Sequence, residues 1–120
     1  MAPNDTHCTI VPYSKVSEGN LDAFKALCRK AVDQTSAEPD CLYYGFTFNG
    51  DDAFCREDYA NADAALIHLG NIDPLLQEVL KLSEITRPEV HGPADEFAKL
   101  REPMAALSPT FFTLAYGFRR

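Results

Sequence analysis

Three histidines, five tyrosines and four cysteines supply most of the reactive side chains of this 120-residue sequence. His68 has the most suggestive setting. Ala64 and Ala65 precede it by about one turn of a predicted helix and Ile72 follows by about one turn. The imidazole therefore falls on the sheet-facing side, where small neighbours leave room for a helix–sheet cavity. There it has the chemistry of a general base toward a phenol or quinol, or of a metal ligand. The plainer alternative is a histidine at the edge of the core, bonded to a carboxylate or a backbone carbonyl. His68 and Tyr44 form the candidate catalytic pair, and Leu69 and Ile72 are candidate substrate contacts on the same helix. Tyr43, Tyr59 and Tyr116 carry apolar rings with polar tips and are candidate substrate-binding aromatics, against a role in core or interface packing. His91 opens a His-Gly-Pro run at a strand-to-helix junction and is a further candidate for the pocket wall, although turn chemistry alone explains Gly92 and Pro93. His7 falls in the N-terminal segment.

Several chemistries are not signalled. Glu57 and Asp58 are adjacent on a predicted strand, so they face opposite ways and cannot be a carboxylate dyad. Glu57 is expected to pair with Arg87 or Arg119. The histidines are too far apart for metal-ligand spacing, and no metal is expected. There is no glycine-rich phosphate loop, nucleophile elbow or nucleotide fingerprint, so no cofactor is expected either. Cys8, Cys28, Cys41 and Cys55 include no C-x-x-C pair. They read as reduced thiols in small core positions, and with no visible export signal the expected location is cytoplasmic. A net charge of −7 and a pI near 4.8 argue against a nucleic-acid or anionic-membrane partner. No apolar run is long enough to span a bilayer.

The elements that must position these residues follow from periodicity and punctuation. Cys8–Tyr13 reads as a first strand, and Leu21 to Gln34 as an amphipathic helix capped by Asn20. Cys41–Asn49 and Ala53–Tyr59 make a hairpin around the Asn49-Gly50 turn. Asn61 caps a second helix that Gly70 is expected to end, and Asp73-Pro74 is expected to restart one through Leu82. Ile85–His91 reads as a strand which Pro88 should confine to an edge or make irregular. A third helical stretch carries Phe97, Leu100 and Met104, and Phe111–Phe118 is a final strand. The result is one α+β domain over residues 1–120, with a ferredoxin-like split βαβ order (β-α-β-β-α-β) and a C-terminal α-β extension. In the four-strand unit the first and third strands should be central.

The strands alternate without becoming hydrophilic. Leu42, Tyr44, Phe46 and Phe48 are expected on one face of the second strand, and Phe112, Leu114, Tyr116 and Phe118 on one face of the last. The opposite faces are smaller but still carry Tyr43 and Phe111. A sheet wet on one side should alternate apolar with charged residues. Helices can cover one face only, so a homodimer packed sheet on sheet is expected, against a monomer whose third helix folds back over the second face.

Three pieces of the sequence occur in a telling order: Glu38-Pro-Asp-Cys-Leu-Tyr-Tyr44, Phe54-Cys-Arg-Glu-Asp-Tyr59 and Asn61-Ala-Asp-Ala-Ala-Leu-Ile-His68-Leu69. The series resembles the antibiotic biosynthesis monooxygenase-like (ABM) domain of the dimeric α+β barrel superfamily. That family tends to show E-P-G-C-L-x-Y, then E-x-[WYF], then a D-x-x-A-x-x-x-H helix start. Glu38, Pro39, Cys41, Leu42 and Tyr44 fit the first, Glu57 and Tyr59 the second, and Asn61, Ala64 and His68 the third. The resemblance covers about residues 8–91, with residues 92–120 as an addition. Asp40 replaces the family's glycine, Asn61 its aspartate, and tryptophan is absent, which separates the chain from haem-degrading members. The resemblance implies a dimeric α+β barrel and cofactor-independent monooxygenation of a small or polycyclic aromatic or quinol-type substrate, whose carbanion reacts directly with O₂. The protein would supply deprotonation, a dry cavity and charge stabilisation. Two alternatives stand beside it: a non-catalytic homodimer that binds a small aromatic ligand, and a structural module with a filled interior. A cavity below about 300 Å³ favours the last.

Overall fold

Gly50 turns the aromatic run of Cys41–Asn49 back on itself with a φ of +59°, a backbone setting that favours glycine. The computed structural model describes residues 5–120. Its elements run β1 (Cys8–Val16), α1 (Leu21–Thr35), β2 (Cys41–Asn49), β3 (Asp52–Tyr59), α2 (Ala62–Leu82), β4 (Ser83–Gly92), α3 (Ala94–Leu100), a 3-10 turn at Ala105–Leu107 and β5 (Thr110–Thr113). They form one five-stranded sheet in the order β2-β3-β1-β4-β5. Neighbours are antiparallel except β4 and β5, which are parallel across the α3 crossover. The first four strands are the expected split βαβ unit with β1 and β3 central.

Burial along β3 has a period of two. Ala53, Cys55, Glu57 and Tyr59 are buried toward the helices, and Phe54, Arg56 and Asp58 face the other way. Phe24 and Cys28 of α1 pack on Val16 and Ala53, with Phe46 and Phe48 alongside. Ala62, Ala64 and Ala65 of α2, with Phe97, Leu100 and Met104, close over Cys8, Ile10, Tyr59 and Val90. All three helices therefore lie on one face, and α3 does not fold over the second.

Four expectations change. The second helix is continuous through Gly70 and Pro74 rather than two segments. Proline removes only the bond to the carbonyl four residues back, while Leu69, Ile72, Leu75 and Val79 keep one face against the interior. Asn61 caps α2 through a bond from Ala64 N, whereas the Asn20 side chain makes no cap bond to α1. Pro88, as expected, falls in an irregular stretch: it lies directly opposite Pro12 of β1, and the β1–β4 register shifts between Tyr13 and Ser14. The β1–β3 ladder skips Val11 and Pro12, and β4–β5 pairing begins only at Glu89, so both missing N–H groups fall where no ladder bond is made. Leu42 leaves the face of Tyr44 because the register slips between Cys41 and Tyr43. The last strand stops at Thr113, not Phe118: its partner β4 ends at Gly92, where Pro93 opens α3, so no ladder remains to pair with.

The second sheet face carries rings in side-chain contact. Tyr13 meets Phe54 edge-on at 4.8 Å, and His91 stacks on Phe112 at 4.7 Å. The C-terminal tail reaches this face through Arg119, which bonds Asp5 and approaches Asp58 at 3.8 Å. It leaves the rings open: Tyr43 and Phe112 are 47% and 40% exposed, and Tyr116 and Phe118 of the tail are exposed as well.

Candidate functional site

Tyr44 of β2 and Glu57 of β3 are directly paired across the hairpin, and both point at the helices. Tyr59 follows two residues along β3 on the same face, and its hydroxyl donates to Glu57 Oε1 at 2.5 Å. His68 descends onto this group from α2. Its ring centre is 5.1 Å from that of Tyr44 and 5.2 Å from that of Tyr59. Glu38, in the connection between α1 and β2, meets the other side of the imidazole, with its carboxylate 3.0 and 3.2 Å from Nδ1. Nε2 lies 3.5 Å from Glu57 Oε1. A histidine is thus held between two glutamates, and all three side chains are buried.

Burial dominates the electrostatics. Loss of water raises the pKa of Glu57 above the ordinary carboxylate value, against the opposing effects of His68, Tyr59 and Cys55. Desolvation also raises Tyr44 and Tyr59, so both phenols stay protonated. The thiols are driven the same way, Cys8 and Cys28 to about 12 and Cys41 to about 11, with Cys55 raised too. None of the four is a ready thiolate nucleophile. All are unbridged.

Beside His68 lies a cavity of about 100 Å³ that opens at one side between α1, α2 and the sheet. Phe24, Phe46, Leu75, Leu76 and Val79 make its walls apolar, and His68, Glu57 and Tyr44 form a polar end. The Glu89 carboxylate is turned to the opposite sheet face, where His91 and Arg87 engage it and hold its pKa below the usual range. Ligand pockets usually start near 300 Å³, so this space is small in the isolated chain.

No protein-family profile and no curated protein matches the sequence. Solved structures do. MupZ from Pseudomonas fluorescens is 47% identical, with 97% of this chain and 96% of that one covered at a TM-score of 0.91. The chain belongs to the MupZ family. A candidate antibiotic biosynthesis monooxygenase from Nitrosomonas europaea superposes with a TM-score of 0.68 at 14% identity, covering 75% of this chain and 92% of that one. One from Caulobacter crescentus gives 0.63 at 21% identity, covering 72% and 86%. At those identities the likeness is one of fold, and the fold is ABM-like. Among the described residues no helix is long and apolar enough to cross a membrane.

In this MupZ-family chain the structure brings His68, Tyr44, Leu69 and Ile72 together on the cavity wall, with Tyr59 packed against His68 behind it. It separates the other three candidates from it. Tyr43 is on the opposite face under Arg56, His91 is on that face against Glu89 and Phe112, and Tyr116 is on the exposed tail. Glu57 pairs with neither arginine: Arg87 goes to Glu89 and Arg119 to Asp5. Residue types alone missed Glu38 and Asn71 as members of the site. Asn71 Nδ2 donates to Glu38 Oε2 at 2.8 Å.

Proposed function

We propose that this chain is an enzyme that moves a proton to or from a small, largely apolar molecule held between its helices and sheet. His68 is the transferring group. The observation that carries this reading is the buried row Glu38–His68–Glu57 at the polar end of an apolar cavity. An ionised Glu38 only accepts, so His68 presents Nδ1–H to it and keeps the Nε2 lone pair toward Glu57 and the cavity. Glu57, driven toward its protonated form by burial, is an acid beside that base. An acid placed beside a base in this way suits general acid–base chemistry. The Glu38 carboxylate at Nδ1 fixes the ring in place while Nε2 exchanges the proton.

Cofactor-independent oxygenation begins with such a step. The base takes a proton from a quinol or phenol-type substrate, and the carbanion then reacts with O₂. The names of the structural neighbours favour this subclass. The proposal includes a homodimer joined through the open sheet faces, supported by the uncovered Tyr43 and Phe112, and a cytoplasmic setting, supported by four free thiols. The small cavity favours a second reading, a non-catalytic or structural dimer of the same fold.

Product mass and oxygen uptake, measured over a panel of quinols and polycyclic phenols in air and under argon, test the enzyme. Turnover that falls by about 10²–10⁴-fold in His68→Gln supports the reading. Turnover unchanged in that variant removes His68 from the chemistry. Absence of both turnover and thermal shift across the panel supports the structural reading.

A further inference from the structure

We infer that Asn71 is a positioning residue of this site, setting which nitrogen of His68 carries the proton by holding Glu38. The inference rests on the reading of His68 as the proton-transferring group. Asn71 lies three residues after His68, one turn along the same face of α2. Its Nδ2 donates to Glu38 Oε2 at 2.8 Å, the oxygen that is 3.0 Å from His68 Nδ1. Its other end is fixed from α1. Gln34 Nε2 donates to Asn71 Oδ1 at 3.1 Å and to the Asn71 carbonyl at 2.5 Å.

These bonds have one consistent direction. A reversed Asn71 amide would set oxygen against the Glu38 carboxylate and nitrogen against the Gln34 donor. Each group therefore fixes the next: Gln34 orients Asn71, Asn71 anchors Glu38, and Glu38 accepts from His68 Nδ1. The imidazole is left with Nε2 as the acceptor, 3.5 Å from Glu57 at the cavity. Glu38 needs this help because it sits in the connection between α1 and β2, and neither a helix nor a sheet ladder fixes its side chain. Buried polar chains of this kind act by holding one arrangement out of several.

Ring-nitrogen NMR of His68 in the full chain tests the inference without any substrate. The wild type, at a pH where the ring is neutral, should give two widely separated ¹⁵N signals, with Nδ1 protonated. Asn71→Ala should draw the signals together as the two tautomers exchange. The isosteric Asn71→Asp, which replaces the donor by an acceptor, should also lose the wild-type pattern. Gln34→Ala, at an exposed position, should move the signals the same way by less, with thermal melts confirming that each variant is folded. Wild-type separation in folded Asn71→Ala and Asn71→Asp, alongside altered signals in Glu38→Ala, which removes the acceptor, would overturn the role of Asn71 alone. Signals unmoved in Glu38→Ala as well would overturn the Glu38–His68 pairing, and with it the reading beneath.

Discussion

Buried between Tyr59 and His68, the Glu57 carboxyl should leave a mark on stability as well as on chemistry. Its folded-state pKa is raised from an ordinary 4.5. Its contribution therefore favours folding at low pH, up to the ordinary carboxylate range, and is lost as pH rises through the raised folded value. Thermal melts from about pH 4 to about pH 8 should show Glu57→Gln losing less stability toward the alkaline end than the wild type. Equal slopes would mean that Glu57 ionises in place without cost. At this scale the sequence was partly legible. The alanines before His68 foretold a sheet-facing imidazole beside a cavity, though a smaller one than they suggest, and the alternation of Glu57 with Asp58 foretold their opposite faces. The same alternation excludes Arg87 and Arg119 as partners of Glu57, since one pairs with Glu89 and the other with Asp5 and Asp58, on the far face. Glu38 was visible only as part of a motif. It meets His68 across 30 residues of sequence from an irregular connection, and no local period encodes that contact.

At the scale of elements, α2 carries both the site and the cavity wall, and Pro74 sits in its interior. An interior proline costs a helix about 3 kcal/mol relative to alanine. Pro74→Ala restores an N–H that can reach the Gly70 carbonyl, and denaturant unfolding should show a gain of about 1–3 kcal/mol. A loss instead would mean that the fit of Leu75 and Leu76 against the interior depends on the proline. The Asn61 cap should be worth about 1 kcal/mol, read as the loss in Asn61→Ala by the same measurement. Gly70 and Pro74 look like a stop and a restart in the sequence because both break isolated helices. Burial of one continuous face outweighs a single missing bond. The aromatic alternation after Phe111 misleads in the opposite way, because strand-like residues need a ladder partner and β4 has run out of one.

For the whole molecule, the sheet is covered by helices on one side only, and the other side holds Tyr43 and Phe112 in partial exposure. Sedimentation equilibrium at micromolar concentration should give about twice the 13.3 kDa of one chain, and the double variant Tyr43→Glu/Phe112→Glu should return a single-chain mass. A wild type that sediments as one chain would end the dimer proposal and leave the open face unexplained. The fold order, the central strands and the helices' inability to cover both faces were legible, because they depend on periodicity summed over many residues. The cavity was legible as a place but not as a size, which is set by how closely α1 and α2 approach the sheet. The proposed chemistry takes place at the polar end of that cavity. A crystal structure of the protein with a turned-over compound or its product bound is the sharpest test. A polar ligand atom is expected within about 2.6–3.2 Å of His68 Nε2, with the apolar body running along Leu75, Leu76 and Val79. A compound seated on the open sheet face, or one with its polar group turned away from His68, would contradict it.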